Sequence, residues 1–196
     1  MKKVLNVGGN SKLISLPKEY EEFEHLLLDI DPVGKPDILC DSRELIKLDP
    51  EQFDMIYCSH NLEHYYEHDV KKVLTGFMHV LINGGGVHLI VPDMEEVFKT
   101  MVENKMDLED NLYQSALGPI RVLDVIYGYS KQIEQSQVDF FAHKTGFTSK
   151  SLFRKMHEAG FKNIHGIKEG FNLVMIGFKG VPKTELMEKF RLKASK

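Results

Sequence analysis

Four short stretches place residues capable of chemistry at the ends of apolar runs. Val4-Leu5-Asn6-Val7 runs into Gly8-Gly9-Asn10, Leu26-Leu27-Leu28 into Asp29-Ile30-Asp31, Ile38-Leu39-Cys40 into Asp41-Ser42-Arg43, and Met55-Ile56-Tyr57-Cys58 into Ser59-His60-Asn61-Leu62-Glu63-His64. Glycines at a strand end let the backbone approach a ligand with no Cβ in the way. An acid in the same position can accept hydrogen bonds from both hydroxyls of a ribose. The plainer role of such an acid is a loop or capping carboxylate. A histidine there, with its ordinary pKa near neutrality, suits general acid or base work.

His60-Asn61-Leu62-Glu63-His64 also fits the H-x-x-E-H zinc peptidase pattern letter for letter. That chemistry needs both histidines on one helix face and a distant glutamate to complete the site. The motif directly follows a strand-like run, where the chain leaves a sheet, and no second long helix offers the glutamate. Nothing else in the sequence demands a metal, and none is expected. In the plainest reading His64 bonds to nearby backbone and Glu63 faces solvent.

The elements that must position these residues read as follows. Strands are expected at 3–7, 26–30, 37–40, 55–58 and 87–91. The stripe Val70, Val73, Leu74, Phe77, Met78 and Leu81 predicts a helix over 68–81, ended by Asn83-Gly84-Gly85-Gly86. A second helix is expected over 94–102. The stretch 11–24, which contains Pro17, is weakly helical at best, so the first connection reads as shortened or irregular. From about 104 to 148 the pattern becomes irregular and is expected to form an insertion or lid within one domain. Thr148 or Ser149 then opens a helix to Ala159, stopped by Gly160. Strands at 163–168 and 173–179, separated by Glu169-Gly170, must be antiparallel to each other. Alternation elsewhere predicts a mostly parallel α/β sheet with helices on both faces, closing in an antiparallel hairpin.

This order and these motifs resemble a class I S-adenosylmethionine (SAM)-dependent methyltransferase with its Rossmann-like seven-stranded sheet. Phe53-Asp54-Met55-Ile56-Tyr57 is similar to the family's fourth-strand motif. The segment from Leu81 through Gly84-Gly85-Gly86 to Pro92 is similar to its glycine turn and fifth strand. The resemblance implies SAM as cofactor, held by Asn6, Gly8, Gly9, Asn10, Asp29, Ile30, Asp41, Ser42 and Ser59. Asp29 would take the ribose and Asp41 the adenine amino group, with Ser42 and Arg43 shaping the pocket. Asn6 stands where the family usually carries an acid, and Asn10-Ser11 where another glycine falls. The loop after the fourth strand would lie beside the methyl group, making His60 and His64 the first candidates for the acceptor base. Asp124 to Gly128 and Ala142 to Thr148 resemble the substrate region of a little-studied bacterial branch. There His143 is the third candidate, Lys144 and Thr145 flank it, and Tyr127 would line the pocket. Phe140, Phe141 and Phe147 would anchor the lid.

The implied activity is methyl transfer to a small-molecule or glycan acceptor, most simply a hydroxyl. The alternative is a SAM- or nucleotide-binding module without catalysis, which the altered glycine turn motivates. A NAD-dependent dehydrogenase is disfavoured because no Gly-x-Gly-x-x-Gly is present.

Composition is ordinary for a soluble protein. The 196 residues suffice for one domain with a sizeable core, 42% are hydrophobic and 28% charged. A net charge of -4 offers no electrostatic ground for nucleic acid as main partner. The basic residues are scattered apart from a modest tail over 189–196, read as a solvated helix end. Two cysteines, Cys40 and Cys58, read as reduced thiols. No stretch approaches the roughly 20 apolar residues that span a bilayer, and a cytoplasmic location is expected.

Overall fold

The computed structural model describes residues 1–116 and 118–192, so Leu117 in the expected insertion and the end of the basic tail, 193–196, lie outside the described residues. Seven strands form the main sheet: β1 (Lys3–Val7), β2 (Glu24–Asp29), β3 (Ile38–Leu39), β4 (Phe53–Ser59), β5 (Leu81–Pro92), β8 (Lys162–Glu169) and β9 (Asn172–Phe178), in the order β3-β2-β1-β4-β5-β9-β8. A separate hairpin pairs β6 (Asn111–Ser115) with β7 (Gly118–Arg121). β1 pairs in parallel with β2 and β4, β2 with β3, and β4 with β5, while β9 runs antiparallel to both β5 and β8. This is the expected mostly parallel sheet with its closing hairpin. Chain order reverses beside β1, between β2 and β4. In such a sheet, that is where carboxyl ends diverge and leave a crevice.

The expected helix over 68–81 is α1 (Glu67–Val80), which buries Val70, Val73, Leu74, Phe77 and Val80 against the sheet. At about 1.5–3 kcal/mol for each fully buried apolar side chain, this stripe is a main fastening of the fold. With α5 (Ser149–Glu158) it covers one face, joining Leu152 and Met156 to Leu5, Ile56, Val87 and Leu89. Thr148 caps α5 as expected, its Oγ1 accepting from Ser151 N at 3.3 Å. The opposite face is closed by a 3-10 turn, Lys18–Tyr20, and by α6 (Thr184–Lys189), which pack Tyr20, Leu186 and Met187 on Val4, Met55, Ile176 and Phe178.

The first connection is shortened as expected: residues 11–24 hold only that 3-10 turn, and residues 42–47 form another. The tight turn suits the close approach of α1, where a Cβ on Gly76 would sit 2.7 Å from Leu45 Cβ. The turn after α1 differs from expectation: Asn83 to Gly86 does not end the helix. α1 passes straight into β5 at Leu81, and Phe53 pairs with Leu81 while Met55 pairs with Gly86, so residues 82–85 bulge out of the strand. Gly84, at φ +79°, donates to Lys179 O at 2.7 Å, and Lys179 N returns a bond to Gly85 O at 2.8 Å. The glycines thus carry the strand past an irregularity rather than stopping a helix.

After α2 (Met94–Glu103) the segment expected as a lid contains β6, β7, α3 (Val122–Tyr127) and α4 (Ser130–Ser136). Ile120, Val122 and Val125 pack with Val97 of α2 in a small cluster of their own. The segment returns to the sheet through Phe147, which is 1% exposed and bridges to Asp93. Cys58 is buried and Cys40 half-buried, and both are free thiols. Among the described residues no helix is long and apolar enough to cross a membrane.

Candidate functional site

A cleft of about 330 Å³ opens at the carboxyl ends of β1, β2 and β4. Gly8, Asn10, Asp29, Ile30, Asp41, His60 and His64 line it, so the structure brings together seven residues expected from sequence. Gly8 has φ +70°, and a Cβ there would lie 2.1 Å from Asn61 Nδ2. Only glycine fits this turn, and the Asn61 side chain of the β4 loop packs directly on it.

Asp29 is 9% exposed and fixes the turn to β2. Its Oδ2 accepts from Asn10 N and its Oδ1 from Asp31 N, both at 3.0 Å. A carboxylate offers about four lone-pair sites, so two remain for ligand hydroxyls. Asp41 is differently placed. Arg43 Nε donates to both of its oxygens at 3.0 Å, and Arg43 N adds a bond at 2.9 Å. Burial raises the Asp41 carboxyl, but Arg43 overcomes this and holds it below its ordinary pKa. Arg43 Nη1 also reaches Asp69 Oδ2 at 3.3 Å. An adenine amino group would share Asp41 with this guanidinium.

Asn6, Gly9, Ser42 and Ser59 do not line the cleft. Asn6 is buried under the turn, its Nδ2 3.3 Å from His25 Nε2, and a Cβ on Gly9 would strike it at 2.1 Å. Ser42 is 3% exposed. These residues shape the floor beneath the site. Tyr65, Tyr66, Asp69, Phe140, Phe141 and Lys144 complete the walls. The sequence does not mark Tyr65, Tyr66 or Asp69, since two aromatics and an acid at a helix start carry no signal that separates a cleft wall from a core or a cap. Tyr127, expected in the pocket, is 60% exposed and lies outside it. Of the three phenylalanines, Phe147 anchors the segment while Phe140 and Phe141 face the cleft.

The histidines separate by geometry. The H-x-x-E-H residues fall on a three-residue 3-10 turn, Leu62–His64, preceded by His60 at φ +48°. The helix face that the zinc peptidase pattern requires is absent, and His64 Nε2 instead lies 3.1 Å from His60 O. Its Nδ1 lies 3.1 Å from Ala142 O, the backbone bonding of the plainest reading. Glu63, expected to face solvent, is 1% exposed because Lys144 N and Thr145 N both donate to its carbonyl and draw residues 142–145 over it. His143 does not line the cleft: its Nδ1 donates to Val125 O at 2.8 Å and its Nε2 lies 4.0 Å from Glu63 Oε1. Burial lowers the His143 pKa. His60 is half-exposed on the cleft wall with Nδ1 3.4 Å from Glu63 Oε1. Burial opposes its protonation, but the Glu63 carboxylate prevails and raises its pKa. Glu63 is raised by burial and brought below its ordinary value by His60 and the other imidazoles.

The sheet order, the closing hairpin and a crevice at the switch point define the fold of the class I methyltransferases. Residues 5–89, which carry the glycine turn, Asp29, Asp41 and the β4 loop, match the family model described as methyltransferase domain. Among solved structures, a SAM-dependent methyltransferase from Archaeoglobus fulgidus superposes with TM-score 0.59 at 14% identity, covering 91% of this chain and 86% of that one. The PH0226 protein from Pyrococcus horikoshii gives TM-score 0.59 at 14% identity over 92% and 82% of the two chains. Human N-acetylserotonin methyltransferase, solved with SAM, gives 0.51 at 14% identity, covering 90% of this chain and 47% of its own. No curated protein matches the chain in sequence. Residues 5–89 thus match a methyltransferase domain, and the fold of the chain is the one that these solved structures share.

Proposed function

We propose that the protein methylates a hydroxyl group of a small molecule or glycan, with His60 as the general base. Methyl transfer is an in-line displacement, governed mainly by how sulfur, methyl and acceptor are positioned. The acceptor loses a proton as the new bond forms. Of the three candidate histidines, His60 alone combines a cleft-lining position with a ring nitrogen left for the acceptor: Nδ1 faces Glu63 and Nε2 remains. His64 is turned to two backbone carbonyls and His143 lies behind Glu63. This contrast carries the reading. Tyr65, Tyr66, Phe140 and Phe141 offer aromatic surfaces suited to a planar group or a sugar ring, and the Lys144–Asp139 ion pair, at 3.1 Å, adds a polar rim. Asp29 is assigned to the ribose hydroxyls of the donor and Gly8 to close backbone approach.

The test is release of S-adenosylhomocysteine from SAM across a panel of sugars, glycosides and phenols, followed by His60→Gln on the best acceptor. General-base catalysis contributes about 10²–10⁴-fold. His60→Gln is therefore expected to lower kcat by at least about 10²-fold while leaving S-adenosylhomocysteine affinity unchanged. Undiminished turnover would remove His60 from the mechanism.

A further inference from the structure

The Glu63 carboxylate is 1% exposed, and neither of its oxygens has a hydrogen-bond partner among the described residues. His60 Nδ1 approaches Oε1 from the cleft side only to 3.4 Å, and a buried ionised group needs closer compensation than that. His143 narrows the choice. Its Nδ1–H donates to Val125 O at 2.8 Å, which fixes the tautomer and leaves the Nε2 lone pair 4.0 Å from Glu63 Oε1. On the side away from His60, two electron-rich atoms thus confront each other across the gap. Backbone bonding at Nδ1 with Nε2 turned inward is the usual second-shell arrangement of a metal-bound histidine. His64 stands beside it, ring centroids 5.0 Å apart. A neutral His64 ring donates to only one of its two carbonyl neighbours at a time, leaving its other nitrogen as a lone pair.

We infer that Glu63, His64 and His143 bind one divalent first-row transition-metal ion such as Zn²⁺. Their ligand atoms all lie within 4.8 Å of one another. Tetrahedral bonds of about 2.0–2.2 Å to imidazole and carboxylate place ligand atoms about 3.3–3.6 Å apart, so shifts of less than about 1 Å by each side chain close the site. Two imidazoles and one carboxylate suit a borderline ion and leave positions open for water. The set departs from the metal-free site expected from sequence and is not the H-x-x-E-H arrangement, because His60 contributes only a neighbouring ring. The ion would staple the β4 loop to residues 142–145, which are otherwise tied there by Lys144 N, Thr145 N and the His64 contact to Ala142. The inference is independent of the acceptor.

The experiment strips the full chain with chelator, titrates it with ZnCl₂, removes free ion and counts bound zinc by mass spectrometry. Co²⁺ serves as the spectroscopic probe. One equivalent is expected, with d–d absorption and hyperfine-shifted exchangeable N–H resonances from two imidazoles. Glu63→Gln and His143→Ala should weaken binding at least about 10-fold, while His157→Ala, on the exposed side of α5, should not. The bound ion should raise Tm in the parent protein and not in the two variants. Zinc well below one equivalent, or retention unchanged in folded Glu63→Gln, overturns the inference. If both variants fail to fold, the resonances of the Co²⁺-loaded parent decide it: two ligated histidines support the site, and none or one refutes it.

Discussion

Replacing Asp29 by Asn tests the cofactor site at its most constrained point. The carboxylate does two jobs. It anchors the β1 turn through Asn10 N and Asp31 N at 3.0 Å each, and its remaining lone pairs face the cleft. The amide keeps one oxygen for one of these N–H groups and sets its own NH₂ against the other. That mismatch should cost about 1–3 kcal/mol of folding stability. For the ligand, a hydrogen bond to a charged group is worth about 1.5–3 kcal/mol, so S-adenosylhomocysteine affinity should fall about 10- to 150-fold. Calorimetry alone would not separate lost ribose bonds from a displaced turn. Pairing the variant with a ligand lacking both ribose hydroxyls does so. If Asp29 bonds the ribose, the dideoxy analogue should bind the parent weakly and lose little more in Asp29→Asn, giving clear non-additivity. Equal losses for both ligands would show that Asp29 only holds the turn. An unchanged affinity for the normal ligand would refute its placement altogether.

Three further outcomes follow from the packing. Gly8→Ala should abolish S-adenosylhomocysteine binding, since its Cβ would meet Asn61 Nδ2 at 2.1 Å in a left-handed backbone, and adding Asn61→Ala should restore part of it. Gly76→Ala should lower Tm although alanine favours helix, because the helix cannot approach residues 42–47 past Leu45 Cβ at 2.7 Å; a raised Tm would refute this. His88 is buried beside Tyr20 OH at 3.1 Å, and burial lowers its pKa to about 4. Its folded pKa lies below the unfolded value of about 6.5, so the unfolded chain binds the proton first. Stability should therefore fall as pH drops from about 6.5 to about 4, by about 3 kcal/mol at most. Urea unfolding across that window should show this slope flattened in His88→Phe; an identical slope would acquit His88.

What the sequence revealed and concealed follows from how far each signal reaches. Strand ends were legible because a buried parallel strand is a continuous apolar run, and the residue that closes it stands at the cleft by topology alone. Gly8, Asp29, Asp41 and His60 were found that way. Whether such a residue is free to act depends on partners that no local pattern encodes. Asp41 meets Arg43 two residues on, and their mutual forks take up the carboxylate that sequence position offers to an adenine. Asn6 and Ser42 occupy the right positions but point under the floor. The β5 glycines misled for a related reason. Asn83 to Gly86 reads as a helix stop, yet Lys179, brought in from the far end of the chain, supplies the bonds that keep those residues in the sheet. Glu63 is the extreme case. A polar residue in a loop reads as solvated, and it is buried only because residues 142–145 return over it. That return also brings His143 against Glu63 rather than into the cleft, leaving His60 as the proposed base and grouping His64 and His143 around the buried Glu63. The proposed base and the proposed metal site thus both rest on a single long-range contact. Lengthening the 104–148 segment's return near Ala142 should disturb both together, raising the exposure of Glu63 while leaving Asp29 and its turn in place.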